Sequence, residues 1–395
     1  MDSREHIDMV NRYCAHNYEP LPVVISKGEG VYVEDVDGKK YIDMLSAYSA
    51  VSHGHRNPRI LKALRDQCDR ITLTSRAFHN DTLGPFLEKL CGVTGFEKAL
   101  PMNTGAEAVE TALKAIRKWA YEVKGVPDGK ARIIAAENNF HGRTLGVISF
   151  ATKGDSRTHF GPFLPGVDTV PFNDVEAIEK AITDETAGVL LEPIQGEGGV
   201  IVPDNDYFPR VREICSRNNV LLCLDEIQTG LARTGRMFCF EHYGIRPDVL
   251  TVGKALGGGV YPVSAACADS AVLDVFTPGT HGSTFGGNPL AAAVAGAALD
   301  ILVEDDLAGH ASEMGDYFMA ELRGLAIDGV VEVRGKGLLI GMEFDTDCAH
   351  DKALALLDAG LLAKDTRPNT IRFAPPLIIT KEQIDEAMTI IKSVF

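Results

Sequence analysis

Six short apolar runs in the middle of the chain, at 98–101, 133–136, 188–191, 220–224, 249–252 and 263–267, show no polar alternation along their length. A strand wetted on one face alternates apolar with polar residues, so these runs read as strands covered on both faces. Between them lie amphipathic helical patterns. In 107–122, for example, Val109, Ala112, Leu113, Ile116 and Ala120 fall on one stripe. Alternation of this kind builds βαβ units and a largely parallel sheet with helices on its faces. Such a sheet places ligands in the crevice outside the carboxyl ends of its strands, and the search for chemistry starts there.

The flanks suggest a second, smaller unit. Residues 30–36 and 40–44 read as a strand pair around the turn Asp37-Gly38, and local sequence does not say where it docks. Asn288-Pro289 reads as a cap and first-turn proline opening a long helix. Beyond it, 331–334, 338–344 and 370–374 supply further strands. The expected division is a large domain over 46–288 and a small α/β domain built from both termini, 1–45 and 289–395, in a chain of 395 residues.

Composition narrows the function classes. A formal net charge of −16, with no basic block, argues against nucleic acid as a partner. The eight cysteines are scattered without a C-x-x-C pair and are expected to be reduced thiols. His53 and His55 lack a third ligand, so no metal site is expected. The opening MDSREHIDMV lacks the layout of a secretory signal, and the apolar run 289–303 is interrupted by Asp300. A soluble, cytoplasmic protein without membrane contact is expected.

Four features fall at expected carboxyl strand ends. Lys254 follows the run 249–252 and precedes Gly257-Gly258-Gly259. Partial desolvation there lowers an amine's pKa and frees it to form a Schiff base. Asp225 ends the run 220–224, and a buried carboxylate needs a cationic or hydrogen-bonding partner, such as a protonated pyridine nitrogen. Thr104-Gly105-Ala106-Glu107 is a capping box whose helix N-terminus suits a phosphate. Phe140 can stack on an aromatic ligand and Arg143 can clamp a carboxylate. The pair Asp225-Glu226 also suits a magnesium-binding strand of a P-loop NTPase, but no Gly-Lys is followed by Ser or Thr. Each feature alone is ordinary; together they are the set a pyridoxal phosphate enzyme requires.

At these residues the chain resembles the class III (subgroup II) aminotransferases of PLP fold type I, and within them the ornithine-transaminating branch. The resemblance is carried nearly end to end by AHNYEPLPV (15–23), SAYSAVSHGH (46–55), LTSRAFHN (73–80) and PMNTGAEAVETALKAIRKW (101–119). It continues through FHGRT (140–144), EPIQGEGG (192–199), LDEIQTGLARTG (224–235), VGKALGGGVYPVSA (252–265), HGSTFGGNPL (281–290), VRGKGLL (333–339) and IRFAPPL (371–377). It implies a large domain with a mostly parallel sheet, a smaller α/β domain, pyridoxal 5'-phosphate as cofactor, and a homodimer with shared active sites. It further implies that Lys254 carries the cofactor and shuttles a proton, Asp225 holds the ring nitrogen and Gln228 bonds the ring hydroxyl. Phe140 and Ile227 would cover the two ring faces, and Gly105 and Ala106 would bind the phosphate. Ser283 and Thr284 would complete that phosphate site across the dimer.

By the same resemblance the substrates are L-ornithine and 2-oxoglutarate, with N-acetylornithine or 4-aminobutyrate as the alternative amine donor. Arg143 would grip ornithine's α-carboxylate, Tyr18 bond its α-amine and Tyr48 shape the pocket. Glu197 would mask Arg372 until 2-oxoglutarate displaces it. Some members of that branch carry tryptophan at His141 and tyrosine at His79, which leaves the pocket wall open.

Overall fold

The computed structural model describes residues 1–152, 154, 156–325 and 327–395. The N-terminal strands β1 (Ile25–Glu29), β2 (Tyr32–Asp35) and β3 (Lys40–Asp43) form an antiparallel meander. The central strands are β4 (Lys98–Met102), β5 (Arg132–Ala136), β6 (Val167–Val170) and β7 (Thr186–Leu191), then β8 (Leu221–Asp225), β9 (Val249–Val252) and β10 (Ser264–Ala268). The last third holds β11 (Val330–Lys336), β12 (Leu339–Phe344), β13 (Leu361–Leu362), β14 (Lys364–Arg367) and β15 (Thr370–Phe373).

The central sheet has the order β4-β10-β9-β8-β7-β5-β6. Strands β9 to β6 pair in parallel, while β10 is antiparallel to both β9 and β4. Only β10 is therefore reversed. An apolar run looks the same in either direction, so local pattern did not reveal the reversal. Strands β7, β8, β9 and β10 are buried throughout, whereas the edge strands β4 and β6 are partly open. Burial on both faces follows from helices such as Gly105–Trp119, which packs eight buried side chains, among them Ile116 and Trp119, against the sheet. The capping box at Thr104 starts this helix two residues before the pattern 107–122 read from sequence, and it ends in a π turn, Ala120–Lys124, closed by left-handed Gly125.

The N-terminal meander docks through β3, which pairs in parallel with β13. Both termini thereby share one sheet, a long-range pairing no local pattern could give. The C-terminal sheet, β11-β12-β15-β14, is antiparallel. Asn288 caps the helix Pro289–Glu304 by accepting from Ala291 N at 2.8 Å.

One buried arginine ties these parts together. Arg233 Nη1 donates to the carbonyls of Leu338 (3.0 Å) and Pro375 (2.6 Å), and Nη2 to Ser52 Oγ (2.9 Å) and Ser46 Oγ (3.4 Å). Burial without a carboxylate partner pushes its pKa down to about 9. No helix among the described residues is long and apolar enough to cross a membrane, and all eight cysteines are free thiols.

Candidate active site

Five connections leave the carboxyl ends of parallel strands and converge on a cavity of about 200 Å³. After β4 comes the helix start at Gly105 and Ala106; after β5, Phe140, His141 and Gly142; after β7, Glu192, Ile194 and Glu197. The end of β8 gives Asp225, Ile227, Gln228 and Thr229, and Lys254 follows β9. The parallel order of β4, β5, β7, β8 and β9 is what brings residues 150 positions apart to one crevice.

Lys254 sits in the left-handed region (φ 43°) just beyond extended Gly253. Burial lowers its pKa, opposed by the carboxylates of Glu197 and Asp225. That favours the neutral amine a nucleophile needs. Asp225 is 5% exposed. Its Oδ2 is 2.7 Å from His141 Nδ1, and its Oδ1 accepts from Thr251 Oγ1 (3.0 Å) and Ile227 N (3.2 Å). Burial disfavours the charged form of His141, but the Asp225 hydrogen bond and charge outweigh it and raise the pKa. The other ring nitrogen of His141 is buried without a partner. Next to it, burial pushes Glu192 up to about 7, while its carboxylate accepts from Phe140 N at 3.0 Å.

Sequence reasoning singled out neither Glu192 nor Thr251, and it noted His141 only as a departure in the pocket wall. The signal for His141 and Glu192 lay in the FHGRT and EPIQGEGG words; Thr251 sits inside an apolar run and gave none.

The cavity's shape suits a flat ring with a phosphate. A Cβ on Gly105 would stand 3.1 Å from Ile227 Cδ1, and one on Gly142 only 2.8 Å from Ala106 Cβ. Side chains there would fill the space. Thr104 Oγ1 occupies Glu107 N, leaving the first helical turn at Gly105 and Ala106 against the cavity. A buried carboxylate at one end, a helix N-terminus at the other and a desolvated amine between them match a protonated pyridine, a phosphate and an aldehyde.

The residues expected to hold substrate are distributed differently. Glu197 and Arg372 meet directly: Arg372 Nη1 donates to Glu197 Oε1 at 2.6 Å, and Arg372 is 1% exposed. Burial alone would raise Glu197's pKa, yet the Arg372 pair holds it below the ordinary value. Gln228 bridges them, its Nε2 donating to Glu197 (3.3 Å) and its Oε1 accepting from Arg372 (3.3 Å). The Arg372 guanidinium lies 5.4 Å from the ring centre of Tyr48. Tyr18 and Arg143 line a neighbouring cleft with Asn17, and Tyr18 is 77% exposed. Arg143 lies 5.0 Å from the Phe140 ring centre. Ser283 and Thr284 do not line the cavity; Ser283 Oγ accepts from Asn103 Nδ2 at 2.9 Å, and Thr284 is exposed. His53 and His55 are occupied by the Ala298 carbonyl (3.0 Å) and Asp43 (2.7 Å), and no group of three metal-ligating side chains occurs among the described residues.

Sheet order, the lysine–aspartate crevice and a family match over residues 13–395 agree: the chain belongs to the class-III aminotransferases. Among its relatives, an ornithine aminotransferase of Brevibacillus brevis is 56% identical, covering 98% of this chain and 97% of that protein. A solved ornithine aminotransferase from Toxoplasma gondii, described with partial occupancy of PLP at its active site, matches with TM-score 0.98 and 46% identity, covering 100% of this chain and 94% of that one. An acetylornithine aminotransferase from Elizabethkingia anophelis matches with TM-score 0.91 and 46% identity, covering 100% and 99%.

Proposed function

We propose that the enzyme moves the δ-amino group of L-ornithine to 2-oxoglutarate, giving glutamate 5-semialdehyde and glutamate. The observation that carries this reading is the Glu197–Arg372 pair beside the cavity, with Tyr48 against the guanidinium. An enzyme that takes an ω-amine first and an α-carboxylate second needs an arginine masked in one half-reaction and free in the other. A buried arginine without an anion is costly, so one anion exchanges for another. The relatives named above support ornithine as the donor. The exposed Tyr18 hydroxyl and the Arg143 guanidinium in the adjoining cleft suit a free α-amine and α-carboxylate.

Pyridoxal 5'-phosphate would suit the cavity: Gly105 and Ala106 would hold its phosphate, Phe140 and Ile227 would cover its ring and Asp225 would meet the ring nitrogen. Gln228 would face the ring hydroxyl and Lys254 the aldehyde. When bound, the cofactor supplies an electron sink for the carbon that bears the amine. The chain does the rest. Lys254 Nζ, its pKa lowered by burial, would take the proton from that carbon and return it at the acceptor end of the transfer. Asp225, steadied by His141 and Thr251, stays in place to hold a positive ring nitrogen. Arg143 and Tyr18 fix the far end of ornithine so that only its terminal amine reaches Lys254.

The reading includes a homodimer in which Ser283 and Thr284 of the partner subunit complete the phosphate site, since in one chain neither lines the cavity. It also includes closure of a small domain, 1–45 with 289–395, over the large domain 46–288, in a cytoplasmic enzyme. The test compares initial rates of glutamate formation from 2-oxoglutarate with L-ornithine, N-acetyl-L-ornithine and 4-aminobutyrate. We expect L-ornithine to exceed the others in kcat/KM by at least about 100-fold, since acetylation removes the α-ammonium that Tyr18 would bond and 4-aminobutyrate lacks it. Preference for the acetylated amine would transfer the assignment to N-acetylornithine.

A further inference from the structure

Glu197 sits on a loop closed at its base by two backbone hydrogen bonds between Gln195 and Ile201, each 3.1 Å. Gly199 N and Val200 N both reach back to the Gly196 carbonyl at 3.3 Å, and the rest of the loop's carbonyls turn outwards. Every carbonyl from Gly196 to Val200 lies within hydrogen-bond reach of a side chain of the C-terminal sheet, those of Gly196 and Glu197 sharing one hydroxyl. Thr366 Oγ1, on β14, lies 3.2 Å from the carbonyls of both Gly196 and Glu197. Arg367 Nε donates to Gly198 O at 3.2 Å. Arg334, on β11, donates from Nη2 to Gly199 O at 2.7 Å and from Nε to Val200 O at 3.0 Å. Three side chains thus occupy five consecutive carbonyls.

The backbone they hold is strained. Val200 has φ 54° and is fully buried, and Gly199 has φ 114°. A β-branched residue in the left-handed region persists only where its surroundings over-determine it. Val200 Cβ presses on Gly341 of β12, where an added Cβ would stand 2.9 Å away. The arginine that Glu197 meets belongs to the same sheet: Arg372 lies on β15, paired to both β12 and β14. Loop, carboxylate and guanidinium are therefore referenced to one frame.

We propose that Arg334, Thr366 and Arg367 are positioning residues for substrate choice. They clamp the backbone of 196–200 so that Glu197 meets Arg372 by default and departs by rotation of its side chain alone. An ion pair with one partner fully buried is favourable only when its geometry is held well. Freeing the loop adds the entropy of ordering it to the cost of every masked state. A loosened clamp thus leaves Arg372 open to an incoming α-carboxylate and shifts the enzyme towards glutamate. This inference rests on the exchange of anions at Arg372 set out above.

The experiment measures single-turnover half-reaction rates of the holoenzyme with L-ornithine and with L-glutamate. The variants are Glu197→Ala, Thr366→Val, Thr366→Ser, Arg334→Lys and the double variant Glu197→Ala/Thr366→Val. Glu197→Ala is expected to lower the ornithine-to-glutamate rate ratio about tenfold or more, and Thr366→Val and Arg334→Lys about three- to tenfold each. Thr366→Ser, which keeps the hydroxyl, restores the ratio, and the double variant shows no further fall beyond Glu197→Ala. A purely structural defect would slow both donors alike and leave the ratio unmoved. An unchanged ratio in Glu197→Ala overturns the anion exchange itself. A shifted ratio there with no shift in either clamp variant, or a full additional fall in the double variant, overturns the clamp and leaves the exchange standing.

Discussion

The floor and the wall of the crevice are built in opposite ways. The floor (Gly105, Asp225, Ile227 and Lys254) comes from the ends of strands in one sheet, and Asp225 takes its partners from neighbouring connections and β9. The wall (Tyr18, Tyr48, Arg143, Glu197 and Arg372) is gathered from the N-terminal residues, the turn Ser46–Ser49, the loops after β5 and β7, and β15. Asp225 is 5% exposed; Tyr18 is 77% exposed. Chemistry common to every amine donor is thus fixed in the rigid part. On the proposed reading, selection among donors falls to the wall, which runs from exposed Tyr18 to buried Arg372.

That division predicts effects of different size and kind. Lys254→Ala removes the one amine that lines the cavity among the described residues, and kcat should fall by at least about 10³-fold for L-ornithine and L-glutamate alike. Tyr18→Phe, which deletes one hydroxyl at the wall, should cost ornithine about tenfold in kcat/KM and glutamate almost nothing. Paired steady-state measurements with both donors check this. A Lys254 variant that discriminated between donors, or a Tyr18 variant that slowed both equally, would erase the distinction between floor and wall.

Acid and base should also separate the two regions. Glu192 on the floor has its folded pKa raised to about 7 by burial, against an ordinary 4.5. Its contribution to stability is complete below the unfolded value and is lost as pH rises through about 7. Glu197 on the wall is shifted the other way by Arg372, so its contribution is present above the ordinary carboxylate value and lost on acidification. For Glu192 the loss is on the order of 3 kcal/mol. Thermal unfolding of the native chain and of Glu192→Gln, compared between pH 4.5 and 8, should show the native chain losing ground to the variant as pH rises. A constant difference would mean that Glu192 does not titrate across this interval.

The floor was also the more legible region in the sequence. An apolar run ending in Asp225, another followed by Gly253-Lys254, and a capping box at Thr104 are local signals, each confined to a few residues. The reversal of β10 was hidden because strand polarity leaves no mark on a short apolar run. Apart from Arg143, whose place after an expected strand end marked it as a carboxylate clamp, the wall was legible only through resemblance. Nothing local to Arg372 says that Glu197, 175 positions earlier, will be its partner. Nor could the pairing of β3 with β13 be read, since it joins segments more than 300 residues apart whose own patterns are complete without each other.

The smallest expected effect concerns how the wall's Tyr48 is presented. Ser46, Ala47, Tyr48 and Ser49 all have positive φ, between 45° and 72°, a left-handed turn that costs non-glycine residues about 1–2 kcal/mol each. The turn is held from outside. Asp43 Oδ1 accepts from Leu45 N (2.9 Å) and Ser46 N (2.8 Å), and Ser46 Oγ donates to Ala374 O at 2.6 Å. Arg233 Nη2 donates to both Ser46 and Ser52. Ala47 is exposed, and its methyl group makes no part of the core. Ala47→Gly removes the Cβ penalty at φ 49° while freeing the unfolded chain. The two terms oppose each other, and the net gain should be no more than about 1 kcal/mol, read as a rise in unfolding midpoint. Activity separates the possible roles of the strain. If the four left-handed residues serve only to aim Tyr48, the glycine variant keeps its ornithine kcat/KM because Asp43, Ala374 and Arg233 still set the turn. If kcat/KM for ornithine falls while glutamate is unaffected, the stiffness of the turn is itself part of donor selection, and the wall is less exchangeable than its exposure suggests.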